Sequence, residues 1–386
     1  MRESNRRAVL SVIADTPGPS AAEIARITGL GPQTVARNVA ALETAALVTR
    51  GKLRRGFRGQ PATELFLADE GAFSIGCEVG FRHVQGSARS LGGRLVDTIR
   101  IELPEPDTRD LPRILAGLVR RLQDSLDGRL DRLVGIGIAL PSDYAALARK
   151  LAPESDLPEL DPVALTAALD AGFDAPVFVY NDGSAACWAE LTRQPAPRPA
   201  DFLYIMLGAF ISSGLVAEGR LWEGPTGSSS NLGTMIVTGP DGGQRFVHDI
   251  AAFATLCGRL GAAGTALPRQ RPALWDWPAL GPVADRWLDE AAAALAKALT
   301  NATAVIEIRR VIVDSVLPRP VLERLIARMR HHAAGLPRIG ARDLDIAPGS
   351  NGEGAAALGA ALLPVYRTLF SADLEHLEAA DFADAG

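Results

Sequence analysis

The chain has 386 residues, 47% of them hydrophobic, and 40 Lys+Arg against 45 Asp+Glu give a net charge of −5. That is ample material for a large core and too much for one ordinary domain, so a small head and a larger body of two lobes is the arrangement to expect. No stretch reaches transmembrane length and no signal-peptide apolar run opens the chain, which argues against a membrane protein and for the cytoplasm.

The first element legible in chain order is a pair of helices. Ser20 is a good N-cap with Glu23 three residues on, which completes a capping box and predicts a helix from about Ala21 to Thr28, ended by Gly29. After the turn at Leu30 and Gly31, Pro32 suits the first position of a second helix that continues to about Ala46. On that helix Val35, Val39 and Leu42 share one stripe, while Gln33 and Arg37 lie opposite with Thr34 and Ala41 beside them. Gln and Arg suit the bidentate edges of adenine and guanine, and Ala41 would allow close approach to a major groove. The same pattern also fits an ordinary helical hairpin with a solvated polar side.

The next segment favours DNA. Residues 48–61 hold five cations (Arg50, Lys52, Arg54, Arg55, Arg58) and no acid, and Ala62 to Leu67 reads as a strand. Two strands around a basic turn make a wing whose cations pair with phosphates, with Arg58-Gly59-Gln60-Pro61 as a tip for a minor groove. Up to Leu67 there are ten Lys+Arg and five acids, a charge of +5, so the remainder carries −10. DNA contact is therefore assigned to the head, with Gln33, Thr34, Arg37, Asn38, Arg54, Arg55, Arg58, Gly59 and Gln60 as its candidates.

The body opens with a predicted antiparallel meander: strands at 73–80, 84–90 and 94–102. A helix at about 111–126, a buried strand at 133–140, a helix at 162–171, a strand at 177–180 and a helix at 184–191 come next, the alternation of an α/β lobe. Residues 195–199, with three prolines, read as an exposed connection. A second lobe repeats the theme with strands at 202–208 and 212–217, later helices, a long helix from Pro282 to about Ile308, a strand at 311–313, a helix at 319–333 and a last helix at about 353–369. Residues 371–386 form an acidic tail. Cys77, Cys187 and Cys257 lack zinc or disulfide spacing and read as buried free thiols.

Several stretches resemble the ROK family (repressors, open reading frames and kinases). They are Ile75-Gly-Cys-Glu-Val-Gly80, Gly135-Ile-Gly-Ile-Ala-Leu-Pro141, Val179-Tyr-Asn-Asp-Gly-Ser-Ala-Ala186 and the long run from Leu207 to Gly224. The resemblance spans about residues 5 to 370 and implies an α/β chain: an N-terminal winged helix-turn-helix, residues 1–70, before a two-lobed actin-like/sugar-kinase fold. Its lobes would be 71–195 and 196–370, the last helix packing back on the first lobe. It further implies a carbohydrate site in the interlobe cleft, with Asn181 and Asp182 where the family's kinases hold a sugar and its catalytic base. As plain residues the two are also good helix caps.

Where the family has Gly-Glu-x-Gly-His, this chain has Ser230-Asn231-Leu232-Gly233-Thr234, and the family's subsequent cysteine cluster is replaced by residues 239–249 without a thiol. No zinc and no other cofactor is expected. His248 and Asp249 are candidates to line the pocket; otherwise one is a surface or loop residue and the other a helix cap. With Ser142, Asn231 and Thr234 they complete the ligand set. Glu78-Val-Gly-Phe-Arg-His83 puts bulky groups where the kinases have small phosphate-binding turns, and Val313 to Pro318 lacks the paired glycines of the adenosine loop, although Gly349-Ser-Asn-Gly352 still forms a turn. The expectation is a non-enzymatic, sugar-responsive regulator, of repressor type by the family's commoner habit, that binds operator DNA as a homodimer or higher oligomer. The alternatives are a sugar kinase with a DNA-binding head and a regulator that has lost sugar sensing.

Overall fold

The computed structural model describes residues 2–54, 62–154, 156–194, 198–228, 230–268, 270–337 and 343–371. The wing tip (Arg55, Arg58, Gly59, Gln60), the connection at 195–197 and the tail from 372 onward lie outside these residues.

The head consists of α1 (Arg2–Asp15), α2 (Ala21–Thr28), α3 (Pro32–Thr44), β1 (Val48–Arg54) and β2 (Ala62–Leu67). The capping box forms: Glu23 N donates to Ser20 Oγ at 3.2 Å and Ser20 N to the Glu23 carboxylate at 2.7 Å. Gly29 ends α2 with φ 67°, and Pro32 begins α3. Sequence periodicity misses α1, because its apolar residues Val9, Leu10, Val12 and Ile13 are crowded into a single turn behind an arginine-rich start. Those four pack with Ile24, Val35, Val39, Leu42, Val48 and Leu65 into the head's core.

The body begins with β3 (Phe73–Val79), β4 (His83–Ser90), β5 (Leu95–Glu102), α4 (Leu111–Asp124), β6 (Leu133–Leu140), α5 (Tyr144–Leu151), α6 (Pro162–Asp170), β7 (Val177–Asn181) and α7 (Asp182–Arg193). It continues with β8 (Phe202–Leu207), β9 (Ile211–Ala217), β10 (Arg220–Leu221), β11 (Ile236–Thr238), β12 (Gln244–Phe246), α8 (Val247–Ala251), α9 (Phe253–Ala262) and α10 (Gly281–Val305). It closes with β13 (Arg310–Ser315), α11 (Arg319–Ala334), β14 (Asp345–Pro348) and α12 (Ala355–Leu369).

Two five-stranded sheets repeat one plan. In the first, ordered β5-β4-β3-β6-β7, the meander is antiparallel and β3, β6 and β7 run parallel. In the second, ordered β10-β9-β8-β13-β14, β10, β9 and β8 are antiparallel and β8, β13 and β14 parallel. The parallel strands end toward the cleft between the sheets, where ligands of open α/β sheets bind. Helix α12 returns from the second sheet to lie on β3, β6 and α7. Its backbone fits there because Gly76, Gly137 and Gly359 lack side chains: a methyl at any of them would overlap a facing main chain. Its far end places Leu369 and Phe370 against the head's core, and Ser371 N donates to Ser11 Oγ at 2.9 Å.

Candidate functional site

On α3, Gln33 and Arg37 are exposed on one face, and Ala36 and Ala40 complete it; Thr34 is half-buried beside them. Two expectations need correction. Asn38 is 7% exposed and donates its amide to Thr34 O at 2.9 Å, so it turns inward and stabilises the helix. Ala41 is half-buried, which leaves Ala36 and Ala40 as the small residues on the outer face. On the wing, Arg50 is held by Glu43 in a bidentate pair at 2.6 and 3.0 Å, and this pairing draws the Glu43 carboxyl below its usual range. Arg50 is thus committed within the head, while Lys52 stands exposed.

In the body, Asn181 ends β7 and caps α7: its Oδ1 accepts from Ser184 N at 2.9 Å and its Nδ2 donates to Ser142 Oγ at 3.0 Å. Asp182 is the first residue of the helix, its Oδ1 accepting from Gly183 N at 2.8 Å and its Oδ2 from the hydroxyl of Ser212 on β9. Burial pushes its carboxyl up, and the Ser212 and Gly183 hydrogen bonds oppose that shift. Ser142 also bonds Ser228 Oγ at 2.7 Å. Ser213 Oγ holds the neighbouring segment through Ser230 and Leu232 N, which sets Asn231 at the cleft wall. Ser142, Asn181, Asp182, Asn231 and His248 therefore share one cavity of about 680 Å³.

Thr234 and Asp249 are not part of that cavity's lining. Thr234 is exposed and bonds Asn231 O at 2.9 Å, and Asp249 is drawn outward by Lys150 at 2.5 Å. His248 is neither a surface residue nor a cap. Its Nδ1 accepts from Ile211 N at 3.1 Å and its ring meets Phe210 edge-on at 5.6 Å. Burial, aided by nearby Lys150, lowers its pKa to about 4. Cys77 and Cys187 are buried, as expected; Cys257 is only half-buried and lines the cleft.

The first lobe contributes a charged cluster that sequence reading did not assign to the site. Glu78 accepts from Gln85 Nε2 at 2.7 Å and Arg100 pairs with Glu353 at 2.9 Å. Glu78 is pushed up to about 7, mainly by burial and then by the neighbouring Asp182 and Glu353 carboxylates. His83, 3.9 Å from Glu78, is lowered to about 4 by burial and by Arg100.

The two segments that the resemblance assigns to a nucleotide make contacts within the protein. At the β3–β4 turn, Phe81 is buried, stacked on Tyr144 with centroids 4.9 Å apart and edge-on to Phe210 at 5.0 Å. At the 349–352 turn, Asn351 N and Gly352 N donate to Asp314 Oδ2 at 3.0 and 2.9 Å, and Ser350 N donates to Glu190 at 3.0 Å. Glu190 and Asp314 are 1% and 2% exposed. Donors that could face a phosphate are satisfied by buried carboxylates, which would also repel one.

The residues present do not fit the family's zinc. The replacement segment forms the β11–β12 hairpin, in which Asp241 pairs with Arg245 at 2.6 Å, and it carries neither thiol nor imidazole before His248. Among the described residues no group of three or more His, Cys, Asp or Glu is placed to hold a metal ion.

The doubled sheet and its cleft define a sugar-kinase-like body, here with a winged helix in front. The chain belongs to the ROK family, whose model matches residues 74–365, and residues 5–56 match the MarR family model. The uncharacterized protein y4fQ of Sinorhizobium fredii is 26% identical over 369 residues, 95% of this chain and 92% of that protein. The xylose repressor of Bacillus subtilis is 24% identical over 244 residues, 61% of each chain. A crystal structure of a ROK family transcriptional regulator, a homologue of the E. coli MLC protein, aligns with a TM-score of 0.72 at 19% identity, covering 98% of this chain and 99% of that one. The ROK hexokinase from Thermus thermophilus aligns at 0.54 and 22% identity, over 80% of this chain and 99% of that one. Kinases and regulators thus share this fold. Among the described residues no helix is long and apolar enough to cross a membrane.

Proposed function

We propose that the protein is a DNA-binding transcriptional regulator, of the repressor type, for genes of carbohydrate uptake or metabolism, and that a sugar or sugar derivative in the interlobe cleft modulates it without phosphoryl transfer. One contrast carries this reading. Asp182 and Asn181 face an open cavity, while the 349–352 turn is closed by Glu190 and Asp314. This supports a cleft open to a sugar and, among the described residues, a 349–352 turn not free to cradle ATP phosphates.

The head supplies operator contact through Gln33, Thr34 and Arg37 of α3 and the cations of the wing, among them Arg54, Arg55 and Arg58. The protein acts as a homodimer or higher oligomer, since one small head seldom gives sufficient specificity, and it works in the cytoplasm, where its DNA is. A tenfold shift in operator affinity requires about 1.4 kcal/mol of difference in ligand affinity between DNA-competent and DNA-incompetent forms.

The test is operator binding and thermal melting across a sugar panel that includes xylose and glucose, run beside an ATP turnover assay. A stabilising sugar that releases the operator, with no turnover, is the expected result. Turnover would establish the kinase reading that the retained Asp182 keeps in play; operator binding with no response to any sugar would point to a regulator without a sensor.

A further inference from the structure

The cleft is larger than its polar end requires. Its volume is about 680 Å³, in the range of pockets that hold drug-sized ligands, and the groups that suit a polyol gather at one end around Asn181, Asp182 and Ser212. Another part of the wall is built differently. Leu147 and Leu151 come from α5, Phe253 and Cys257 from α9, and Leu267 and Trp275 from the segment after α9. Leu267 leaves 43% of its surface open to water.

The apolar side chains of this wall have little to offer a hydroxyl, although Gln270 lines the cleft beside them. The Trp275 indole N–H is already donated to Gln270 O at 2.8 Å, so its ring surface is what remains. Pro268 and Pro272, which also line the cleft, have no N–H to give. Of the charged groups at its edge, Lys150 pairs with Asp249 at 2.5 Å and Arg271 with Glu353 at 3.8 Å, while Arg82 stands near Cys257. Laid against those apolar side chains, a second sugar ring would leave the hydroxyls facing them without partners, a cost that an apolar ring does not incur. Phe253 and Trp275, with centroids 5.1 Å apart and planes tilted by 52°, are each 8% exposed and bring only ring edges to the cleft, an apolar contact for an aromatic group.

Resting on the reading of the polar end as a carbohydrate site, the geometry points to a glycoside with an apolar, ring-sized aglycone as the ligand class. The sugar lies at Asp182 and the aglycone covers Leu147, Leu151, Phe253, Leu267 and Trp275.

Calorimetric titration of the full chain with methyl, phenyl and glucosyl glycosides of D-glucose and D-xylose, in both anomers, tests this. The phenyl glycoside of the accepted sugar is expected to bind roughly tenfold more tightly than the methyl glycoside. The glucosyl compound should gain nothing over methyl. Leu267→Ser, at an exposed position, should reduce the phenyl advantage while leaving methyl affinity and the melting temperature in place, and Asp182→Asn should weaken every compound. Equal phenyl and methyl affinities, a preference for the glucosyl compound, or a phenyl advantage untouched by Leu267→Ser would each overturn the aglycone site and leave the carbohydrate reading standing. Failure of every compound to bind would overturn both.

Discussion

The Ser212 hydroxyl, on the second sheet, donates to the Asp182 carboxylate at the end of the first, so the central polar group of the cleft is held from both lobes. A ligand held at Asp182, as proposed, would thereby be linked to the spacing of the lobes. Asp182→Asn keeps the oxygen that accepts from Gly183 N but removes a charge that burial disfavours. The expected variant is folded, melts no lower than the natural protein, binds operator, and needs at least about tenfold more sugar to release it. An unchanged release curve would show that the effector is held elsewhere.

The two sides of α3 predict opposite phenotypes. Gln33→Ala and Arg37→Ala should alter which operator bases are preferred, by about 1–3 kcal/mol for each bidentate base pairing removed. Asn38→Ala, which removes an inward hydrogen bond, should cost about 1 kcal/mol of head stability and leave base preference unchanged. Binding measured over an operator library, with melting curves for all three, separates them. Neutralising Arg54, Arg55 and Arg58 should reduce the slope of log affinity against log salt by about 0.9 for each phosphate released.

Nucleotide should be ignored. With Phe81 in the β3–β4 turn and Glu190 and Asp314 on the 349–352 turn, ATP and Mg²⁺ are expected to give neither a melting shift nor turnover with any hexose. Glu190→Gln should lower stability, because Glu190 accepts from Ser350 and Asn351 in a buried network, and should not create activity. A saturable ATP-dependent shift in the natural protein would show that these positions still admit a nucleotide.

Stability should follow pH through His83, His248, Glu78 and Asp182, the last pushed up by burial and so acting in the same direction as Glu78. His83 and His248 have folded pKa values lowered to about 4, so between about 6.5 and 4 the unfolded chain binds more protons at them and acid destabilises the fold. Glu78, raised to about 7, binds its proton in the folded state first, so from about 7 down to 4.5 acid stabilises through it. Near pH 5.5, Glu78→Gln should therefore steepen the loss of stability on acidification by about one proton, ~1.4 kcal/mol per pH unit, and His83→Gln should flatten it by the same amount. Equal slopes in the three proteins would rule out this assignment.

Cys257 provides a reporter for the cleft. Burial raises its thiol to about 11, so alkylation should be slow at neutral pH and climb about tenfold per unit between pH 7.5 and 9.5. Cys77 and Cys187 should stay unlabelled in the folded protein. Protection of Cys257 by a bound phenyl glycoside, read by mass spectrometry, is the expected outcome; labelling indifferent to that glycoside would place its aglycone away from α9.

Much of the architecture is written in local signals. The Ser20–Glu23 box, Gly29 and Pro32 fix α2 and the start of α3 with nearest neighbours alone, and the Asn181–Asp182 turn is set by the strand before it and the helix it caps. The features that escaped depend on partners that local pattern does not show. His248 looks polar in sequence yet is buried because Ile211 N and Phe210 receive its ring. The plugging of the 349–352 turn joins Glu190 to residues 160 positions away. Asn38, though polar, faces inward beside Val35 and Leu42, three and four positions away on the same face, and its amide is satisfied by Thr34 O of its own helix. Arg50 lies in a basic run, but Glu43, seven positions earlier, takes its charge.

The head emerges first during synthesis, but its core is finished by residues made some 360 positions later, where Leu369 and Phe370 pack and Ser371 bonds Ser11. Domains ordinarily fold in the order in which they leave the ribosome. Here a nascent chain could carry α1, α2 and α3 and still lack part of the packing that steadies them. Chains broken off before residue 369 would therefore carry a head whose core lacks the cover of Leu369 and Phe370.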